Sequence, residues 1–485
     1  MISTFLALIQ FEYQRISRST MRFVAICVFL FCGFYAITSG AHHVEIWKQS
    51  LVELESRDLE QRTEALGWFA NGAVGPEDRD WINITQPRWA DRYAAAHVAM
   101  VPEPLAALAI GLSDIRSSWA VVSATRGAQP FRTSDPSTLG NAEKLLAGNF
   151  DLVFVLAYLM PLLLLVLMFD VGSLERDLGM MRMVRTQTLS PRFWWLLRVS
   201  MPVFMVAALV LILCLIGGVR TGAIEATFDQ WLSYCGISLG YTFLWGLLFA
   251  AVLSAGTGSS TAALWMVGLW IGFCVIVPAA VRQVVSSQMP TLYASETTSV
   301  LRAERYEILL GNIENYKGPF YAARPQLSPP VKTPARAIVS DMDRLVRQAA
   351  FMSEVEGVSQ NLSESEVSRE AAVARFGWIN PAYVYQRALC VLSGTESVSY
   401  RQHRQVILDS VKERQEALIQ AQWKMKPVDK ETFESLFSHG PWMGYGQAPE
   451  KGTYSQLLVL AAAAFVATGA FSRIRKSRER KTGVV

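Results

Sequence analysis

The chain has 485 residues, 51% of them hydrophobic and only 18% charged. A soluble chain of this size is usually about a quarter charged, so the composition argues for a membrane protein. The net charge of +4 is small, and the basic residues gather beside apolar runs, which leaves nucleic-acid binding unsupported.

A bilayer core of roughly 30 Å takes about 20 apolar residues as helix. Six stretches meet that requirement. Arg15, Arg18 and Arg22 lead into the first, 21–41. Small residues follow it, as after a signal peptide, but the preceding segment is too long and already contains an apolar helix, so an uncleaved anchor is expected. Segment 42–149 comes next. Val44, Trp47, Leu51, Leu54, Leu59 and Leu66 recur at roughly helical spacing, so the first span is expected to continue outward as helix until 72–76 breaks it. An Ala-rich stretch, 92–110, is interrupted by Pro102 and Pro104, and only 118–123 hints at strand alternation. The second span is 150–170, followed by a charged hairpin, 171–195, and a third span, 196–217. After the loop 218–230 come spans 231–255 and 261–281 with a short turn between them. Segment 282–453 carries helix patterns at 297–312, 335–355 and 400–425, broken by Pro325, Pro329, Pro330 and Pro334. The sixth span, 454–472, ends in a basic tail, 473–485.

Basic residues precede the first span, fill 171–195 and follow the sixth. Six spans put all three clusters on one side, which the positive-inside rule makes the cytoplasm. The fold class is therefore an all-α membrane protein with six transmembrane helices, N-in and C-in, and two large, mostly helical periplasmic insertions. Of six cysteines only Cys390 lies in an insertion, so no disulfide framework holds these parts together.

Chemistry-bearing motifs are sparse. No G-x-x-x-x-G-K-[ST] occurs. Gly256-Thr257-Gly258-Ser259-Ser260-Thr261 has the glycines but no Lys and no preceding strand, and reads as a tight turn. Zinc signatures are missing. His42 and His43 are adjacent, which on a helix points them about 100° apart, a poor metal pair. Met168, Met180, Met181 and Met183 suit an adaptable contact surface better than copper. Asn83-Ile84-Thr85 matches a glycosylation acceptor without meaning in a bacterium. No Asp, Glu, Lys or Arg is central in a span, whereas a proton- or sodium-coupled carrier generally needs one. Arg22 and Arg198 stand at span ends and can snorkel to the interface. Trp245, Trp265, Trp270, Tyr158 and Tyr241 offer amphipathic surface, fitting interface anchoring or a lipid-like or peptidic substrate. No catalytic, cofactor or metal residues stand out.

The remaining feature is the hairpin: Glu175-Arg176-Asp177-Leu178-Gly179, then Arg182 and Arg185, then Leu189-Ser190-Pro191-Arg192. A charged connection between two spans is where a membrane protein can touch a soluble motor, or it only marks the membrane boundary.

Three stretches carry a family resemblance: 148–162 entering the second span, Ser173-Leu174-Glu175-Arg176-Asp177-Leu178-Gly179 with its likeness to S-x-E-R-E-x-G-T-L, and Trp378-Ile379-Asn380-Pro381-Ala382 with Ser393-Gly394-Thr395, like L-S-P-A and A-G-T. Pro104-Leu105-Ala106-Ala107-Leu108 with Gly111, Ser113 and Asp114 also fits. In order and spacing the chain resembles the permease subunits of ABC-2-type transporters (type-2 ABC exporters), in particular a bacterial subgroup with two large periplasmic insertions that bears the label domain of unknown function. Asp177 stands for the usual Glu, Met180 for Thr and Asn380 for Ser. The resemblance implies a cytoplasmic amphipathic connector helix within 1–20, with Phe5, Leu6, Ile9 and Tyr13 toward lipid. It also implies a coupling helix that seats in a cleft of a separate ATPase, with Glu175, Arg176, Asp177, Gly179, Arg182 and Arg185 at the contact. Two ABC ATPase copies, holding ATP and Mg, and a second permease chain, identical or related, would complete the unit in the bacterial inner membrane. The expected function is that of a non-catalytic permease subunit, of an exporter by family likeness. The alternatives are an ATPase-driven mechanotransmission complex acting on an envelope partner, and a membrane-anchored sensor or scaffold.

Overall fold

The first apolar run does not end at a membrane boundary but is half of one continuous helix. In a computed structural model, α1 (Thr20–Ala70) runs for 51 residues, about 75 Å at 1.5 Å per residue. Its second half buries Val44, Trp47, Leu51 and Leu54, three or four residues apart on one face. Asn71 caps it, and Gly72, with a positive φ of 69°, ends it. The structure describes residues 10, 14–15, 17–72, 75–79, 81–94, 96–124, 150–181, 183, 186, 191–289, 294–327, 336–424, 427–436, 442, 444–446, 459, 461–466 and 468.

Beyond α1 come α2 (Pro87–Tyr93), β1 (Ala96–Ala99) and β2 (Trp119–Val122), then α3 (Leu152–Met168), α4 (Leu174–Asp177), α5 (Pro191–Thr221), α6 (Ala223–Ala226), α7 (Phe228–Ser254) and α8 (Ser259–Gln288). The remainder is helical: α9 (Ala294–Leu310), α10 (Glu314–Ala322), α11 (Arg336–Arg375), α12 (Pro381–Leu392), α13 (Ser397–Trp423) and α14 (Lys430–Leu436). Among the described residues, α1, α5, α7 and α8 are long and apolar enough to cross a bilayer, and α3 is a shorter apolar helix. The chain is thus a mostly helical membrane protein. The expected span 454–472 lies largely outside the described residues, and its described positions 459, 461–466 and 468 are helical. Of the expected connector, Gln10, Gln14, Arg15 and Ser17 are helical, and Phe5, Leu6, Ile9 and Tyr13 lie outside the described residues, as does the basic tail.

One apolar core joins α1, α3, α5, α7 and α8, with Trp245, Tyr241 and Phe249 of α7 fully buried at its centre. Two pieces of the supposed insertions enter this same core: Leu105, Leu108 and Ala109 from the first, and Ala382, Tyr385, Ala388, Leu389 and Leu392 of α12 from the second. Tyr385 stacks on Tyr241 at 4.2 Å between ring centroids, and its hydroxyl is 3.0 Å from that of Ser238. Ser238 lies ten residues inside α7, so α12 reaches about 15 Å down that helix. The segments are therefore not simple external caps.

Opposite the hairpin, the rest of both segments builds a single distal domain. β1 and β2 pair antiparallel, Ala96 against Val122 through Ala99 against Trp119. Val98, Ala120 and Val122 pack with Leu301, Ile308, Phe351, Val355, Ile407 and Val411 from α9, α11 and α13. The expected helices at 297–312 and 400–425 form close to their bounds. The one at 335–355 extends to Arg375, because nothing between Val355 and Gly377 interrupts it except Gly357, which a helix tolerates.

Candidate functional site

Among the described residues, the charges at the hairpin are bonded to neighbouring elements. Arg15, just ahead of α1, and Arg22, in its first turn, both bind the Asp170 carboxylate just past α3, Arg15 at 2.8 Å. Arg22 also donates to the Arg15 carbonyl at 3.2 Å. Glu175 pairs with Arg198 of α5, whose guanidinium lies 5.1 Å from the Trp194 ring centroid. Arg176 donates to the Thr257 carbonyl in the α7–α8 turn. The Asp177 carboxylate accepts from the Ser259 hydroxyl at 2.6 Å and the Ser259 backbone N–H at 2.8 Å. The Ser259 hydroxyl, then its N–H, hold the Asp177 carboxyl below the usual carboxylate range. The four-residue helix α4 is thereby tied to α5 and to the α7–α8 turn, and Asp170, four residues ahead of it, to Arg15 and α1.

Gly179 closes that helix. Its φ of 71° is left-handed, open to glycine at no steric cost. Its N–H bonds to Arg176 O at 3.0 Å and the Met180 N–H to Glu175 O at 2.8 Å, the two bonds of a Schellman cap. The chain reverses there and leads toward α5.

Arg22 and Arg198 are not snorkelling: they are 6% and 2% exposed and ion-paired. In apolar surroundings an unpaired guanidinium is costly, so the partner carboxylates fix where these span ends can sit. Among the described residues, the hairpin presents an apolar patch outward beside the exposed Asp177. Leu174, Leu178, Met180 and Met183 are exposed, Leu178 to 62%. Of the six expected contact residues, Glu175, Arg176, Asp177 and Gly179 come together here, and Arg182 and Arg185 lie outside the described residues. The sequence reading missed Asp170, Thr257 and Ser259. Ser259 sits in the glycine-flanked turn, whose small residues were the signal that a neighbour approaches closely.

A second convergence lies at the other end of the bundle. Asp151 caps α3 by accepting from Phe154 N at 2.8 Å and also accepts from Ile110 N at 3.0 Å. The Thr395 hydroxyl donates to Ala109 O at 2.8 Å and Leu112 N donates to Thr395 O at 3.0 Å. Asn380 caps α12 through Tyr383 N. Apart from 173–179 in the hairpin, the stretches that carried the family resemblance thus meet at one joint. His43 Nε2 is 3.0 Å from Ser113 Oγ beside it. Trp245 and Tyr241 are core residues, Trp265 is exposed, and Trp270 donates to Tyr158 O at 3.0 Å.

No family model matches the chain, and neither a curated protein nor a solved structure does.

Proposed function

We propose that this chain is the membrane-spanning permease subunit of an ATP-binding cassette transporter in the bacterial inner membrane, an exporter by its family resemblance. A separate ATPase, binding ATP and Mg, docks on the 171–195 hairpin, and two permease chains work with two ATPases. The observation that carries this reading is the hairpin: its described charges, Glu175, Arg176 and Asp177, are bonded within the chain to α5 and the α7–α8 turn, with Asp170 beside it holding α1, while its tip exposes Leu178, Met180 and Met183. A motor can move spans only through an element that does not yield, and an apolar tip on a fixed mount is such an element. The charged residues are then positioning residues and the apolar ones make the contact.

The test is affinity purification from the native host in mild detergent, read by mass spectrometry. A co-purifying P-loop ATPase is expected with the wild type and lost with Leu178→Glu plus Met180→Glu. Glu175→Lys should also lose it, and Glu175→Arg with Arg198→Glu should regain it. Recovery of the chain with no P-loop protein would sink the transporter reading.

One observation favours the mechanotransmission alternative. α1 is unbroken from the hairpin end into the distal domain, so a push at its base would reach that domain directly. Substrate-stimulated ATPase with measurable flux in sealed vesicles would decide for transport.

A further inference from the structure

Between α3, α8, α11 and α12 lies a cleft of about 280 Å³ whose lining includes Tyr158, Arg282, Arg369, Tyr383 and Gln386. Two arginines therefore line one small space, Arg282 exposed and Arg369 half-buried. No carboxylate among the described residues pairs with either, and the neighbouring acids are already engaged: Glu370 by Arg401, Glu366 by Arg116 and Arg404, Glu396 by Arg387. Two like charges at one cleft repel unless an anion bridges them.

The backbone around the cleft is irregular on both sides. Tyr158 lies in a π-helical turn of α3, Val155–Leu159, and α8 has its own π-helical turn at Gly272–Ile276, just before the cleft. α12 packs on both turns. Such turns occur mostly as single inserted residues at functional positions.

Depth and polarity complete the pattern. Arg282 stands 23 residues beyond Ser259 in α8, about 35 Å along the helix, so when Ser259 is at one membrane face Arg282 is at headgroup level on the other. Toward the membrane interior the same helix exposes Ile271, Val275 and Ile276, the last two to 51% and 59%. A charged, hydrogen-bonding head site thus opens onto an apolar track.

We propose that this cleft binds the phosphate head of an anionic membrane amphiphile, with Arg282 and Arg369 sharing the phosphate and the acyl chain lying along Val275 and Ile271. The site stands on the cleft and the apolar helices and does not depend on the transporter reading. Arginine suits phosphate because its planar fork offers paired donors, and the Tyr158 and Tyr383 hydroxyls and the Gln386 amide supply further polar contacts.

The full chain, purified in neutral detergent, is titrated with phosphatidylglycerol, phosphatidylcholine or inorganic phosphate, and followed by thermal unfolding and native mass spectrometry. Phosphatidylglycerol should raise the unfolding midpoint saturably and remain bound. Phosphatidylcholine and inorganic phosphate should do neither. Arg282→Gln with Arg369→Gln should weaken phosphatidylglycerol binding tenfold or more. Val373→Phe, which fills the cleft from α11 and keeps both charges, should weaken it equally. Because the two changes act independently, misfolding of one leaves the other to decide. Undiminished binding by either folded variant would overturn the site, and inorganic phosphate binding as tightly as the lipid would overturn the amphiphile.

Discussion

At the scale of single residues, two buried groups have consequences that solution measurements can reach. Asp170 pairs with both Arg15 and Arg22, whose side chains are only 10% and 8% exposed. Removing one member of a buried ionic group leaves the others charged and unpaired, which costs about 3–5 kcal/mol. Asp170→Ala should therefore lower the thermal midpoint sharply in detergent, whereas Asp170→Glu should recover part of it. A loss under about 1 kcal/mol, the surface-pair range, would mean that water reaches both arginines. His403 is the other group. It is 3% exposed on α13, with Tyr445 Oη 3.5 Å from Nδ1 and no partner for Nε2 among the described residues. Burial alone pulls its pKa from 6.5 down to about 4. The unfolded chain binds the proton near 6.5 and the folded chain only near 4, so this histidine costs nothing above pH 6.5. Its penalty grows as pH falls, and levels off below about pH 4 at about 3 kcal/mol. Between pH 7 and pH 5 the wild type should lose more stability than His403→Gln does. Parallel losses in the two proteins would refute a buried neutral imidazole.

At the scale of elements, the joint opposite the hairpin rests on one turn. Gly111 has φ 54°, and a Cβ there would come within 2.6 Å of the Thr395 hydroxyl and 2.7 Å of the Thr395 carbonyl oxygen. Gly111→Ala combines a left-handed backbone with a clash against backbone, so a loss of about 2–3 kcal/mol is expected. Thr395→Val, which removes the hydroxyl's bond to Ala109 O and its longer one to Cys390 O, should cost about 1 kcal/mol. Calorimetric midpoints for the two variants check that order, and equal effects would place the strain elsewhere. Such joints also mark where the sequence was legible and where it was not. The helix at 44–69 could be read because Val44, Trp47, Leu51 and Leu54 keep helical spacing. The Schellman end at Gly179 was foreshadowed by a glycine after charged residues. α12 was invisible as a core helix: its residues 381–392 are only twelve in number, too few to cross a bilayer, and their apolar face becomes meaningful only beside Tyr241. The hairpin was found by its charges, but the partners that Glu175, Arg176 and Asp177 take within the chain were not. A carboxylate in sequence does not tell whether it meets solvent or an arginine 23 positions away, as Glu175 meets Arg198. Three-dimensional pairing across the bundle decides that, and local pattern carries no trace of it.

At the scale of the whole molecule, the distal domain is assembled from two segments separated by the apolar helices, and a buried ion pair is among the contacts that fasten them. Arg414 of α13 lies 3.0 Å from Asp91 of α2 and donates to the carbonyls of Val122 and Ala94. Asp91, fully buried, also accepts from the Ser123 hydroxyl at 2.7 Å and the Ala124 N–H at 2.8 Å. Burial pulls the Arg414 pKa down, against the pull of Asp91. The same contact joins α2, β2 and α13, so neither segment has a closed core without the other. A change at Asp91 should therefore act on both segments together. Asp91→Asn keeps the shape and removes the charge, leaving Arg414 uncompensated at a cost of about 3–5 kcal/mol. In hydrogen exchange of the full chain, protection should fall in parallel at 96–122 and 397–423, while α7, in the separate apolar core, should keep its wild-type protection. If exchange rose only around the substituted helix, the two segments would be independent domains and a push along α1 would have no single body to move. Parallel loss would establish one cooperative unit mounted on the end of that helix, the mechanical requirement shared by a gate over a transport path and a lever acting on a partner.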